Sequence, residues 1–108
     1  MIYKKIYLIG DIGDPKDFKI VEKFNSAATF MRNLGFIVIN PIDMFKKYDD
    51  EYNKAIKINK DLLLRSDGIC ILDYDIYNID IMEQIKMAMF LNLFVTNFSF
   101  NLSNTNNN

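Results

Sequence analysis

The sequence predicts an α/β fold: a small doubly wound, flavodoxin- or Rossmann-like parallel sheet of four to five strands flanked by helices. Three observations carry this expectation. Short apolar runs alternate along the chain with longer segments of helical periodicity. Those runs are continuous rather than alternating polar and apolar, as expected for strands covered on both faces. Right-handed crossovers between parallel strands then give the order 2-1-3-4, with a topological switch point between strands 1 and 3.

Residues 3–9, Tyr-Lys-Lys-Ile-Tyr-Leu-Ile, form the first strand and end in the turn-rich loop Gly10-Asp11-Ile12-Gly13-Asp14-Pro15. Asp14 is placed as the N-cap and Pro15 at the first position of a helix running to about Asn33, with Asp17 at the positive end of its dipole. The buried side of that helix is read from Phe18, Val21, Phe24, Ala28, Met31 and Leu34, which recur at three- and four-residue steps. Gly35 fits the left-handed residue behind the helix. Residues 36–39 form a second buried strand, Asn40-Pro41 a turn, and residues 42–47 a short helical stretch. Asp49 or Asp50 opens a helix to about Arg65 that carries Tyr52, Ile56, Asn59, Leu63 and Leu64, and Asp67-Gly68 breaks it. Residues 69–72 form the third buried strand, 73–77 a loop, 79–91 a Met-rich helix and 93–95 the start of a last strand. Residues 1–98 read as the domain and 99–108 as a polar, Asn-rich tail; there is no internal repeat.

Composition bounds the function. At 108 residues the chain suits one domain, with roughly two thirds of its unfolded surface to bury. Lys plus Arg is 13 against 14 for Asp plus Glu, so no basic excess marks a nucleic-acid binder. No apolar run reaches the roughly 18 residues of a membrane span, and the opening residues enter a strand-like run without a signal-peptide cleavage site. The single Cys70, placed mid-strand and buried, suits a reducing cytoplasm. With no His, acid–base chemistry falls to carboxylates, Tyr, Lys or bound water, and no cofactor is implied.

The switch point nominates the loops 10–14 and 73–78, because ligands of such sheets bind beyond the carboxyl ends of the strands there. Gly10-Asp11-Ile12-Gly13 permits close backbone approach and leads to a helix N-terminus, but its spacing is neither GxGxxG nor a Walker A loop. Asp11 would repel a phosphate or hold a ribose hydroxyl; a plain strand-to-helix turn is the simpler reading. Asp73, Asp75 and Asp80 offer paired carboxylates for work at a glycosidic bond, and Tyr74 and Tyr77 offer rings for a base. Against that, Asn78 capping the next helix and Asp80 complementing its dipole account for the same residues. The acid spacing matches no defined cation loop, so no metal is expected. One of Glu83 and Gln84 should face the first loop from the last helix. Met82, Met87 and Met89 read as core filler, and the lysines, Lys23 among them, as solvated helix faces.

In order along the chain, these pieces resemble the nucleoside 2-deoxyribosyltransferase family, which includes the deoxynucleoside 5′-monophosphate N-hydrolases and many small phage and bacterial relatives. Ile6-Tyr7-Leu8-Ile9-Gly10-Asp11 resembles its "IYLAGP" strand, Leu34-Gly35-Phe36 its "LGHEV" step, and Val38-Ile39-Asn40-Pro41 its "VINP". Ser66-Asp67-Gly68-Ile69 resembles "CDAI", and Asn92-Leu93-Phe94-Val95 resembles "LGKPV", so the likeness covers about residues 3–97. It implies a protein that binds a nucleoside or nucleotide and splits or transfers an N-glycosidic bond, with a Glu of the last helix as nucleophile and Tyr7 assisting. The family spacing to Ala88 and Asn92 puts Gln84 at the nucleophile position, one residue past Glu83; Asn59 stands where an Asp is frequent, Asn78 where Ser or Asp is, and Asp11 where Pro is.

Two functions follow. In the enzyme, Glu83 attacks the sugar, Tyr7 orients it and Asp80 or Asp11 assists. In the binding module, a sensor or sponge, the pocket keeps its shape and holds a nucleotide without consuming it. Ligand contacts in either case are expected from Gly10, Asp11, Ile12, Gly13, Asn59, Asp73, Tyr77, Asn78 and Gln84. The resemblance implies a homodimer or higher homo-oligomer, with the apolar residues 93–98 and Phe100 either at its interface or covering the core.

Overall fold

The computed structural model describes residues 4–73 and 77–98. Its elements run β1 (Lys5–Ile9), α1 (Phe18–Asn33), β2 (Ile37–Ile39), α2 (Pro41–Lys47), α3 (Tyr52–Leu64), β3 (Gly68–Ile71), α4 (Ile79–Phe90) and β4 (Phe94–Asn97). The four strands make one sheet in the order β2-β1-β3-β4, and every pair is parallel. This is the α/β architecture and strand order expected from the sequence, with four strands among the described residues.

Alternation along β1 divides the core. Ile6 and Leu8 point to one face, where they join Val38, Cys70 and the α1 residues Phe24, Ala27, Ala28 and Met31. Tyr7 and Ile9 point to the other, where they join Ile69, Ile71, Leu63 of α3, and Ile81, Ile85 and Ala88 of α4. Helices therefore cover both faces, which is why the central strands could dispense with polar alternation. Burial pushes the Cys70 thiol up to about 11 from an ordinary 9.0. The unfolded thiol ionises first as pH rises, so this contribution to stability is complete below about pH 9 and is lost between about pH 9 and 11. Urea melts across that range should show stability falling, with a smaller fall in Cys70→Ala.

Several local expectations are corrected. The N-cap of α1 is Asp17, whose carboxylate accepts from the Lys19 N–H at 2.8 Å, and not Asp14. Asp14 instead closes the preceding turn, accepting from the Lys16 N–H at 2.9 Å. The buried stripe of α1 consequently starts later: Phe18 is 74% exposed and Leu34, beyond the helix, is 60% exposed. β2 is an edge strand in which only Val38 is buried. Glu51, with no side-chain cap bond, precedes α3 where Asp49 or Asp50 was expected. Met82 packs on the core, but Met87 and Met89 are exposed. Phe98 packs against the core and tilts on Phe30 at 5.2 Å. Phe100 and the tail 99–108 lie outside the described residues.

Other signals act as read. Asn78 caps α4; Asn40-Pro41, expected as a turn, instead supplies the cap of α2 and its first residue. Gly35 takes φ +100 behind α1. Asn92 takes φ 58 behind α4, where a short polar side chain tolerates the left-handed conformation.

Candidate functional site

The carboxyl end of β1 opens onto a cavity of about 780 Å³. Three walls enclose it. The floor is β1 and its loop, with Tyr7, Leu8, Gly10, Ile12 and Gly13. One side is α2 and α3, with Pro41, Phe45, Tyr52, Ile56, Asn59, Lys60 and Leu63. The α3 residues Tyr52, Ile56, Asn59 and Leu63 recur at four- and three-residue steps, so a single helical stripe makes this wall. The other side is Asn78 and α4, where Asp80, Glu83, Gln84 and Met87 form a second stripe of the same spacing, flanked by Ile81, Lys86 and Phe90.

Most of the expected site residues meet here. Tyr7, Gly10, Ile12, Gly13, Asn59, Asn78, Asp80, Glu83 and Gln84 all line the cavity. Both Glu83 and Gln84 reach it, Glu83 exposed and Gln84 half-buried. Tyr7 is 4% exposed, and burial holds its hydroxyl well above the usual phenol range. The hydroxyl therefore stays protonated at neutral pH and can donate as well as accept.

Asp11, Asp73 and Tyr77 are not among the lining residues. Asp11 accepts from Asn78 Nδ2 at 2.8 Å, while Asn78 Oδ1 accepts from the Ile81 N–H at 3.2 Å. One amide thus ties the β1 loop to the start of α4. Asp73 bonds Lys23 Nζ at 2.7 Å, and the same ammonium donates to the Asp11 carbonyl at 3.1 Å. Lys23, expected on a solvated face, has a side chain only 14% exposed and pins the two switch-point loops together. Tyr77 is 83% exposed, and Tyr74 and Asp75 lie outside the described residues.

Gly10 lies at a close approach. A Cβ there would stand 3.2 Å from Leu72 Cβ, 3.3 Å from the tip of Phe24 and 3.4 Å from the Asp73 carbonyl oxygen. Sequence reasoning missed the aromatic wall: Phe45 stacks on Tyr52 with centroids 5.2 Å apart and planes 30° apart. It also missed Lys60, Lys86 and Phe90. The signal for the wall was present, since Asn59 interrupts an otherwise apolar helical stripe. Among the described residues no group of three or more His, Cys, Asp or Glu side chains is placed to hold a metal ion. None of their helices is long and apolar enough to cross a membrane.

A family described as Domain of unknown function (DUF4406) matches residues 4–77, about two thirds of the chain. The chain belongs to the DUF4406 family. No curated protein and no solved structure gives a match. The DUF4406 match runs from β1 through β3 to the loop before α4, and so takes in the cavity floor and the α2–α3 wall. Asp80, Glu83 and Gln84 stand beyond it, on the part of this DUF4406 protein that closes the cavity.

Proposed function

We propose that the cavity binds a nucleoside or nucleotide. The observation that carries this reading is the opposition of its two side walls, stacked aromatic rings on one and a stripe of polar groups on the other, at the switch point of a parallel sheet. Rings suit a heterocyclic base; carboxylates, amides and a phenol suit a sugar. About 780 Å³ is ample for such a ligand. The resemblance to the nucleoside 2-deoxyribosyltransferases supports the same reading from the sequence.

A second step is favoured by one observation: Glu83 lines the cavity as well as Gln84. In this reading the protein cleaves or transfers an N-glycosidic bond. The Glu83 carboxylate forms a bond to the anomeric carbon as the bond to the base breaks, and the base leaves with the bonding pair and takes a proton. Water, or a second base, then displaces the carboxylate from the sugar. The Tyr7 hydroxyl, kept protonated by burial, donates to and orients the nucleophile, and Asp80 assists from one turn earlier on α4. The binding module remains the other reading. Chromatography after incubation with a panel of nucleosides, deoxynucleosides and their monophosphates separates the two. Free base supports the enzyme; a ligand-induced thermal shift with substrates intact supports the module; neither result refutes both.

The reading places the protein in a reducing cytoplasm, in keeping with its single, buried cysteine, and gives it a second copy of itself as partner. Phe90, 87% exposed, and Met87 stand at the cavity and offer the apolar surface for that contact. Light scattering should report a dimer or larger assembly that Phe90→Glu weakens; a monomer at every concentration would refute the assembly.

A further inference from the structure

Besides Tyr7, the polar side chains that are nine-tenths or more buried among the described residues are Asn40, Asn59 and Ser66. Two of them serve the fold. Asn40 donates to Asn25 Oδ1 at 3.1 Å and caps α2, and the Ser66 hydroxyl donates to the Leu62 carbonyl at 2.8 Å. Asn59 is only half used. Its Nδ2 donates to the Pro41 carbonyl oxygen at 3.2 Å. A carbonyl can only accept, so the nitrogen must be the atom facing Pro41, and the orientation of the amide is fixed. Its Oδ1 is left with no hydrogen-bond partner and sealed from bulk water, on a residue that lines the cavity. An unmet buried acceptor costs the fold the desolvation of the group, and no bond of Oδ1 offsets that cost.

We propose that Asn59 is a specificity-determining residue whose Oδ1 accepts a hydrogen bond from an N–H or O–H group of the ligand. The proposal rests on the reading of the cavity as a nucleoside or nucleotide site and adds which of those ligands enter. A ligand that presents a lone pair to Oδ1 leaves two acceptors facing each other without water, so it is rejected. Asn59 shares its helical stripe with Tyr52, whose ring stacks on Phe45. A planar base held along that wall brings its edge toward the amide, which makes an exocyclic amine the expected donor. The buried Tyr7 hydroxyl can donate as well as accept, so the required polarity is set by Asn59 and not by its neighbour.

The test compares ligands matched in shape. Adenosine and inosine differ by an amino group against a carbonyl, and cytidine and uridine repeat the contrast on a smaller ring. In the carbonyl member of each pair the neighbouring ring nitrogen carries the N–H, so a preference for that member that Asn59→Leu abolishes assigns the donor to the ring nitrogen and overturns the exocyclic amine. Affinities are read by calorimetry on the full chain, or as relative kcat/KM where base is released. The amino member of each pair should bind about tenfold more tightly or better. In Asn59→Leu, which also gives up the bond to the Pro41 carbonyl, the two members should bind alike. A parallel comparison of adenosine with 2′-deoxyadenosine and 3′-deoxyadenosine covers the hydroxyl source: a preference there that Asn59→Leu abolishes supports Oδ1 as the acceptor and assigns its donor to the sugar. Equal affinity in every comparison overturns the proposal and leaves the nucleoside site standing. So does a preference that survives in Asn59→Leu, or in Asn59→Ala should the leucine variant not fold. If no member of the panel binds, the site reading fails and the selection with it.

Discussion

Base release from a deoxynucleoside is expected to fall roughly a thousandfold or more in Glu83→Gln, and to stay within about tenfold of wild type in Gln84→Ala. The two residues are adjacent on α4 and both line the cavity, yet only one is a carboxylate. An amide of the same shape cannot form the glycosyl ester or leave from it, so the substitution removes the bond-forming atom and little else. Glu83 is exposed and outside the core, so Glu83→Gln should melt within about 2 °C of wild type, which separates loss of chemistry from loss of fold. Gln84→Glu is the informative partner. If the wild type releases no base and Gln84→Glu does, the nucleophile position is Gln84, and the natural protein is a binder that has given up turnover. If Glu83→Gln retains wild-type activity, Glu83 is not the nucleophile.

Phe24→Ala should lower stability by about 3–5 kcal/mol, a large share of the roughly 5–15 kcal/mol that holds a domain of this size. Phe24 is fully buried between α1 and the face of the sheet that carries Ile6 and Leu8. Its ring tip lies where a Cβ on Gly10 would stand 3.3 Å away, so the ring supports the underside of the first switch-point loop. Truncation removes that support and leaves a void that the strands cannot close without disturbing the cavity floor. The expected fall in melting temperature is about 12 °C or more. A loss below about 1 kcal/mol in urea titration would show that the ring is not packed in this way.

The layered plan was legible because it depends on averages. Unbroken apolar strands and helical periodicity each summarise many side chains, and the handedness of the crossovers then leaves few topologies. Individual side chains were harder. Phe18 and Leu34 fit the α1 periodicity but fall beyond the ends of the sheet face, while Lys23 breaks the apolar pattern and still inserts its ammonium between two loops. Asp14 and Asp17 are equally good caps, and only the extra turn after Gly13 decides between them. In the site, the α4 stripe could be anticipated from its register, and Tyr7 and Asn59 from the resemblance alone. The engagement of Asp11 by Asn78, and the idle oxygen of Asn59, depend on where two distant backbones pass. No spacing rule encodes that.

The position of β1 also bears on how the chain is made. It leaves the ribosome before the other three strands of its sheet, yet it lies inside that sheet, flanked by β2 on one side and β3 on the other. Its second partner begins at Gly68, paired with Ile6. Until that residue is synthesised, one edge of this strand has no neighbour, and the nascent chain must carry it through some sixty residues of translation. Helix α1, which follows it directly and packs on Ile6 and Leu8, can shield one face in the interval. The N-terminal half is thus equipped with a temporary cover for a seam that only the second half can close.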